Sequence, residues 1–259
     1  MTLISLHDRD TIELVLRENT PLNIYSVGDL DDFFWPYTTW YALEDRGRIL
    51  AIALVYGASN PPTLIALAEP RIDHLRALLS EAKRLLPSSV YAHLSPGCLD
   101  ALQPFASAAS KGPHWKMVLD KFVCDVTGID AVDRLSIADL AELYTLYSEA
   151  YPGNFFDERM LQTGYYFGRR VGPQIVCVAG VHVFSRRYRV AAIGNIVTHP
   201  SFRGQGHATA VTARLCSELL SEVDCIGLNV SAANKPAIAC YQHLGFRKIG
   251  EYEEVSIVC

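Results

Sequence analysis

The chain is short of several things, and each shortage excludes something. No apolar run approaches the roughly 20 residues that a helix needs to cross a bilayer, so membrane insertion is not expected. Positive charge is not in excess: 23 lysines and arginines stand against 28 acidic residues, a formal net charge of −5. A broad basic face for nucleic acid is therefore not expected. The seven cysteines are odd in number, scattered and free of CxxC pairs, which reads as reduced cytoplasmic thiols rather than a disulfide framework or metal site. The N-terminus, MTLISLHDRD, has early acidic residues and no apolar core, so a secretory signal is not expected.

What is present is 259 residues, half of them hydrophobic. That suffices for one large or two ordinary domains, each able to bury its own core. The first half reads as a helix over Asp10–Arg17 with Thr11 as cap and Leu14 and Leu16 facing inward. Strands Thr38–Leu43, Arg48–Tyr56 and Thr63–Ala68 follow, separated by Asp45-Arg46-Gly47 and Asn60-Pro61-Pro62. A helix over Arg71–Leu86, a strand over Val90–Leu94, a helix over Leu99–Ala109 and a strand over His114–Val123 complete it. The stretch 121–133 crosses into the second half. There Ser136-Ile137-Ala138-Asp139 caps a helix running to Ala150, with Leu140, Leu143, Tyr144 and Tyr147 on one face. An aromatic loop, Tyr151–Phe156, and a short helix over Asp157–Gly164 come next. Tyr165–Val171 and Gln174–Phe184 form a hairpin.

The second half turns on AAIGNIVTHPSFRGQGHA, residues 191–208. Ala191–Val197 is an apolar strand that Thr198-His199-Pro200 stops, because proline cannot continue a central ladder. Beyond Arg203-Gly204-Gln205-Gly206 a helix begins, with Val211, Leu215 and Leu219 four residues apart. Two glycines between a strand and a helix start make an ordinary turn. They equally make a place where free backbone N–H groups and the positive end of a helix dipole meet an anion. No Gly-Lys-Ser/Thr follows, so this is not a Walker loop, and the third glycine of a dinucleotide fingerprint is missing.

The spacing is T-x-P-x-F followed by R-x-x-G-x-A. A strand over Cys225–Val230 then leads to Asn234, Ala237, Tyr241 and Gly245-Phe246, the pattern N-x-x-A-x-x-x-Y-x-x-x-G-F. On these residues the stretch from about Arg134 to Val258 resembles the GNAT superfamily of acyl-CoA-dependent N-acetyltransferases. The resemblance implies an α+β GNAT fold, a central mixed and mostly antiparallel sheet flanked by helices, with a catalytic domain over 121–259. It implies acetyl-CoA as co-substrate and no metal. The pyrophosphate would be held by backbone amides of Gln205, Gly206, His207 and Ala208 beside Gly204. Pantetheine would pair with the backbone of Ile196, Val197 and Thr198 as an added strand. Asn234 would cap the last helix and touch the pantetheine arm, and Arg203 would meet a phosphate or brace the loop. The backbone N–H of Asn195 or Ile196 would face the thioester oxygen. Tyr241 would be the general acid, its ordinary pKa of about 10 standing near the thiol's 8.5.

One departure stands out. Some members of that superfamily carry a glutamate at the start of the fourth strand, whereas no acid lies between Val190 and Gln205 here. A water chain, His182, Glu149 or Glu253 as base, or a weakly basic acceptor are the alternatives. His199 and His207 read as local hydrogen-bonders. The first half repeats the order of strands and helices but has Glu69-Pro70-Arg71-Ile72-Asp73 where the glycine loop belongs. Residues 1–120 are thus a degenerate GNAT-like domain without a cofactor loop, or an unrelated α+β cap. The expected activity is acetyl transfer to a primary amine of a small molecule or protein. The alternatives are a non-catalytic acyl-CoA-binding module, or an enzyme with a different acyl donor, as in relatives that conjugate amino acids. A homodimer is possible in this superfamily.

Overall fold

A computed structural model of the chain describes residues 1–123 and 125–258. In chain order the first elements are β1 (Thr2–Ser5), α1 (Arg9–Leu16), α2 (Ile24–Gly28), β2 (Thr38–Asp45), β3 (Arg48–Tyr56), β4 (Thr63–Ala66), α3 (Ile72–Ala82), β5 (Ser89–Leu94) and β6 (Ser107–Leu119). Then come β7 (Val132–Arg134), α4 (Leu140–Ala150), β8 (Phe167–Val171), β9 (Gln174–Ser185), β10 (Val190–Thr198), α5 (His207–Leu219), β11 (Cys225–Ser231), α6 (Lys235–His243) and β12 (Phe246–Val258). The chain divides into two compact units. The first holds Met1–Lys116, Val230–Ala233 and Ile249–Cys259, and the second Met117–Asn229 and Asn234–Lys248. Most of β12 therefore groups with the first unit rather than with the 121–259 block expected from sequence.

In the first unit β1, β2, β3 and β4 pair antiparallel in order, and β4 then pairs parallel with β5 across the crossover helix α3. β12 closes onto β5, antiparallel. The second unit repeats this plan strand for strand. β7, β8, β9 and β10 pair antiparallel in order, and β10 pairs parallel with β11 across α5. This is the mixed, mostly antiparallel sheet with flanking helices of the GNAT fold, present twice.

Each unit has its own core. In the first, Leu75, Leu78, Leu79 and Ala82 of α3 pack on Leu43, Ala53, Leu64, Ala92 and Val255. In the second, Leu143, Leu146 and Tyr147 of α4 pack on Tyr166, Ile175, Val178 and Val197. Val211, Leu215 and Leu219 of α5 are fully buried, each burial contributing about 2 kcal/mol.

Local expectations were corrected in several places. Asp8, not Thr11, caps α1, its carboxylate accepting from the Thr11 N–H. Leu14 is exposed while Ile12 and Leu16 are buried, because residues four apart share a helix face and the one between them does not. The expected helix Leu99–Ala109 is only a 3₁₀ turn over Leu99–Leu102, followed by β6 from Ser107. Pro104 falls inside that span and cannot serve a helix interior. Tyr144 is about half exposed; the buried face of α4 is Leu143, Leu146 and Tyr147. Asp157–Gly164 is a 3₁₀ helix over Glu158–Thr163, and the β8 strand starts at Phe167, so Tyr165 and Tyr166 precede it. Among the described cysteines, Cys98, Cys177, Cys216, Cys225 and Cys240 are unbridged thiols; Cys124 and Cys259 lie outside the described residues. No helix among the described residues is long and apolar enough to cross a membrane.

Candidate functional site

The site lies in the second unit, where β10 parts from β11. The parallel ladder runs from Val190↔Cys225 to Ile193↔Leu228 and stops. On its other edge β10 stays paired with β9 as far as Thr198↔Cys177. Gly194–Thr198 therefore has one paired edge and one edge open to a further extended chain.

Two register shifts flank the parting. Between Ala192↔Val183 and Ile193↔Val181, β9 carries one extra residue, His182. Between Gly194↔Gly180 and Val197↔Val178, Asn195 and Ile196 of β10 stand opposite Ala179 alone. Such a bulge turns backbone groups out of the ladder and increases the twist. Asn195 takes a left-handed conformation, φ 51°, which asparagine tolerates better than most residues. Three contacts hold it. The Tyr147 hydroxyl donates to the Asn195 carbonyl at 2.8 Å, and the Asn195 Nδ2 donates to the Tyr166 hydroxyl at 3.0 Å and lies 3.5 Å from the Met160 sulfur. The Asn195 side chain and carbonyl are thus both engaged within the protein.

Glycines make room for this arrangement. A Cβ on Gly180 would meet the Tyr166 ring at 2.2 Å, and one on Gly194 would meet the His182 ring at 2.0 Å. Phe156 stacks on Tyr147 at 5.0 Å and meets Tyr166 edge-on at 5.5 Å. The aromatic loop after α4 thereby serves as packing behind Asn195, while Tyr151 and Phe155 are exposed.

Downstream, the His199 Nδ1 accepts from the Ser201 N–H and its Nε2 lies 3.4 Å from the Glu149 carboxylate. Arg203 Nε donates to the Thr198 carbonyl at 3.2 Å, so Arg203 braces the loop. Gly204 and Gly206 have φ of +76° and +79°, with nothing within 4 Å of where a Cβ would stand. Gly206 occupies the N-cap of α5, and no side chain caps that end. The first N–H groups of a helix have no internal partner, so the amides of His207, Ala208 and Thr209 point outward under the positive end of the dipole. The His207 ring turns the other way. Its Nε2 is buried without a partner, and burial with the nearby Arg169 charge holds its pKa down. His207 is therefore neutral at pH 7 and offers the loop only its backbone.

Asn234 caps α6, its Oδ1 accepting from the Ala237 N–H at 3.2 Å. One turn further, Tyr241 is 7% exposed and packs edge-on against Phe246. No protein hydrogen bond to its hydroxyl is found among the described residues. Burial, helped by the neighbouring Cys240 and Tyr151, pushes its pKa well up, so it stays protonated and remains a donor. Cys177 shares a hydrogen bond with Thr198 and Cys240 with Thr209. Burial raises both thiols, Cys177 to about 12.

Of the base candidates, Glu253 lies on β12 in the first unit, opposite Leu94. Glu149 is half exposed beside His199. His182 is at the parting itself. Among the described residues no group of His, Cys, Asp or Glu is arranged to hold a metal. Sequence reasoning missed Tyr147, Met160, Tyr166 and Cys177. Glycine inside the strand at 180 was the available signal, since it marks a close approach.

The first unit shows the same place closed. Past Ala66↔Leu94 the Ser95 N–H bonds the Ala66 carbonyl at 3.0 Å. The Ser95 Oγ then accepts from the Ala68 N–H and donates to the Ala68 carbonyl. The two strands stay stapled together, and the loop from Leu67 to Arg71 has no glycine.

Residues 132–246 match the model of the acetyltransferase (GNAT) family. Among solved structures, the chain is similar to a Drosophila protein at 13% identity and TM-score 0.76, covering 99% of this chain and 98% of that one. It is similar to a GCN5-related N-acetyltransferase from Sphaerobacter thermophilus at 12% identity and TM-score 0.59, covering 98% and 95%. A tandem GNAT protein from the clavulanic acid biosynthesis pathway aligns over 100% and 98% at 16% identity and TM-score 0.57. A search of curated proteins gave no match. Residues 132–246 are thus similar to the acetyltransferase (GNAT) family, within a fold that repeats the GNAT plan twice.

Proposed function

We propose that this protein is an acetyl-CoA-dependent N-acetyltransferase, acting on a primary amine of a small molecule or protein by direct attack in a ternary complex. The observation that carries the reading is the open edge of β10 from Gly194 to Thr198, which runs into the uncapped N-terminus of α5. An extended pantetheine arm fits the edge by strand addition, and a pyrophosphate fits the helix start. Gln205, Gly206, His207 and Ala208 would hold that pyrophosphate through backbone amides, with Gly204 leaving room and Arg203 bracing from beneath.

The remaining needs are a polarised carbonyl and a proton for the departing sulfur. The bulge at Asn195 and Ile196 supplies a turned-out N–H for the carbonyl oxygen. Tyr241 supplies an O–H that has no competing protein acceptor among the described residues.

The test is thiol release from acetyl-CoA over a panel of amines, with Tyr241→Phe beside the parent. The expected result is turnover by the parent and a loss of about 100-fold in kcat, with KM for acetyl-CoA little changed. Equal activity of the two proteins would remove Tyr241 from the reaction. Propionyl- and benzoyl-CoA in the same assay decide whether the donor is instead a bulkier acyl group.

A further inference from the structure

We infer that His182 is the base that deprotonates the acceptor amine, a role that rests on the acyl-donor reading above. A base for this reaction must sit where the acyl carbon meets the amine, because proton transfer requires hydrogen-bond reach. In this fold that point is the vertex where β10 leaves β11. Ile193 is the last residue of β10 paired with β11, so Gly194 is the vertex. The Cδ2–Nε2 edge of the His182 imidazole faces Gly194, with Cδ2 and Nε2 2.0 and 2.1 Å from the place a Cβ would take.

Two sequence features cooperate to put the ring there. His182 is the extra residue of the β9 bulge, which re-aims its side chain. Glycine at 194 leaves the space; any other residue would displace the imidazole. Gly194 pairs with Gly180, so both rings lie on one face of the sheet, His182 over Gly194 and Tyr166 over Gly180. The other candidate in this unit is badly placed. Glu149 pairs with His199, five residues beyond Gly194, or about 16 Å along an extended chain.

The proton balance is simple. An alkylammonium acceptor gives one proton to the imidazole, which passes it to solvent. The freed nitrogen lone pair forms the C–N bond, and the C–S bond breaks with its electron pair going to sulfur. The second nitrogen proton balances the one that sulfur receives through Tyr241. Amide, free thiol and one released proton result.

The first test needs no known acceptor. Bromoacetyl-CoA carries an alkylating carbon where the acyl methyl group would lie. An imidazole nitrogen there attacks that carbon, forms a C–N bond and expels bromide. Cys177 and Cys240 are poor competitors, because burial keeps both thiols protonated. Peptide mapping should find the adduct on His182 in the parent. His182→Gln should still bind acetyl-CoA calorimetrically but lose the adduct. Binding with the adduct elsewhere, or with none, overturns the assignment and leaves the acyl-donor reading intact; no binding by the parent overturns both.

The second test is His182→Gln in the thiol-release assay, with folding checked by thermal melting. The expected loss in kcat is about 100-fold on alkylamines. It should be less than about fivefold on arylamines and hydrazides, which are already neutral at pH 7 and need no base. Equal loss on both acceptor classes, or no loss, would mark a merely structural histidine.

Discussion

Asn195 and Tyr241 stand at opposite ends of residue-scale logic. The asparagine side chain and carbonyl are fully engaged, whereas the tyrosine hydroxyl has no protein partner among the described residues. Removing the Tyr147 hydroxyl by Tyr147→Phe should leave the Asn195 carbonyl unsatisfied. The expected cost is about 1–2 kcal/mol, read as a lower urea midpoint with an unchanged slope. A midpoint equal to the parent's would show that the bulge holds without this bond. In the first unit, Asp29 follows α2 and is 4% exposed, and burial pushes its carboxyl pKa up to about 8. The folded state therefore keeps a proton that the unfolded state loses above about pH 4. Stability on this account falls as pH rises from about 4 to 8 and levels off beyond. Asp29→Asn removes the effect, so its stabilisation relative to the parent should be near zero at pH 4 and reach a few kcal/mol at pH 8. Paired urea titrations check the sign; a gap that narrows with rising pH would contradict it.

At the element scale, the site depends on strands that carry glycine at two facing positions. Gly180→Ala places a Cβ 2.2 Å from the Tyr166 ring. That displaces the ring and breaks its bond to Asn195. A destabilisation of about 2–3 kcal/mol is expected, together with weaker acetyl-CoA binding by calorimetry; parent-like values in both would show that the strand relaxes freely. Here lies the boundary of what the sequence let one read. The apolar spacing of α5 and the Asn234 cap of α6 were legible, because local chemistry sets them. The bulges at His182 and Asn195 were not, because a register shift depends on the neighbouring strand. The expected helix over Leu99–Ala109 ignored Pro104, which cannot serve a helix interior. Tyr147 read only as part of a helix face, and only the tertiary fold brings its hydroxyl and that of Tyr166 to Asn195.

At the scale of the whole molecule, the same five-strand plan occurs twice with opposite outcomes at the crossover. In the second unit the crossover strands part after Ile193, and Gly206 begins the helix. In the first, Ser95 staples them shut and no glycine leads into α3. The chain should therefore bind acyl-CoA once, not twice. Repetition of the plan was legible from the order of elements, but the stapling was not, since it rests on one serine hydroxyl reaching Ala68.

Calorimetric titration of the protein with acetyl-CoA, beside Gly206→Asp, tests this account most directly. The variant has open space for its side chain and a backbone penalty of about 1 kcal/mol, so it should fold while placing a carboxylate where the pyrophosphate would lie. The account predicts one binding event per chain in the parent and a loss of at least about 100-fold in the variant. Two events per chain, unchanged binding by Gly206→Asp, or no heat with the parent would contradict it.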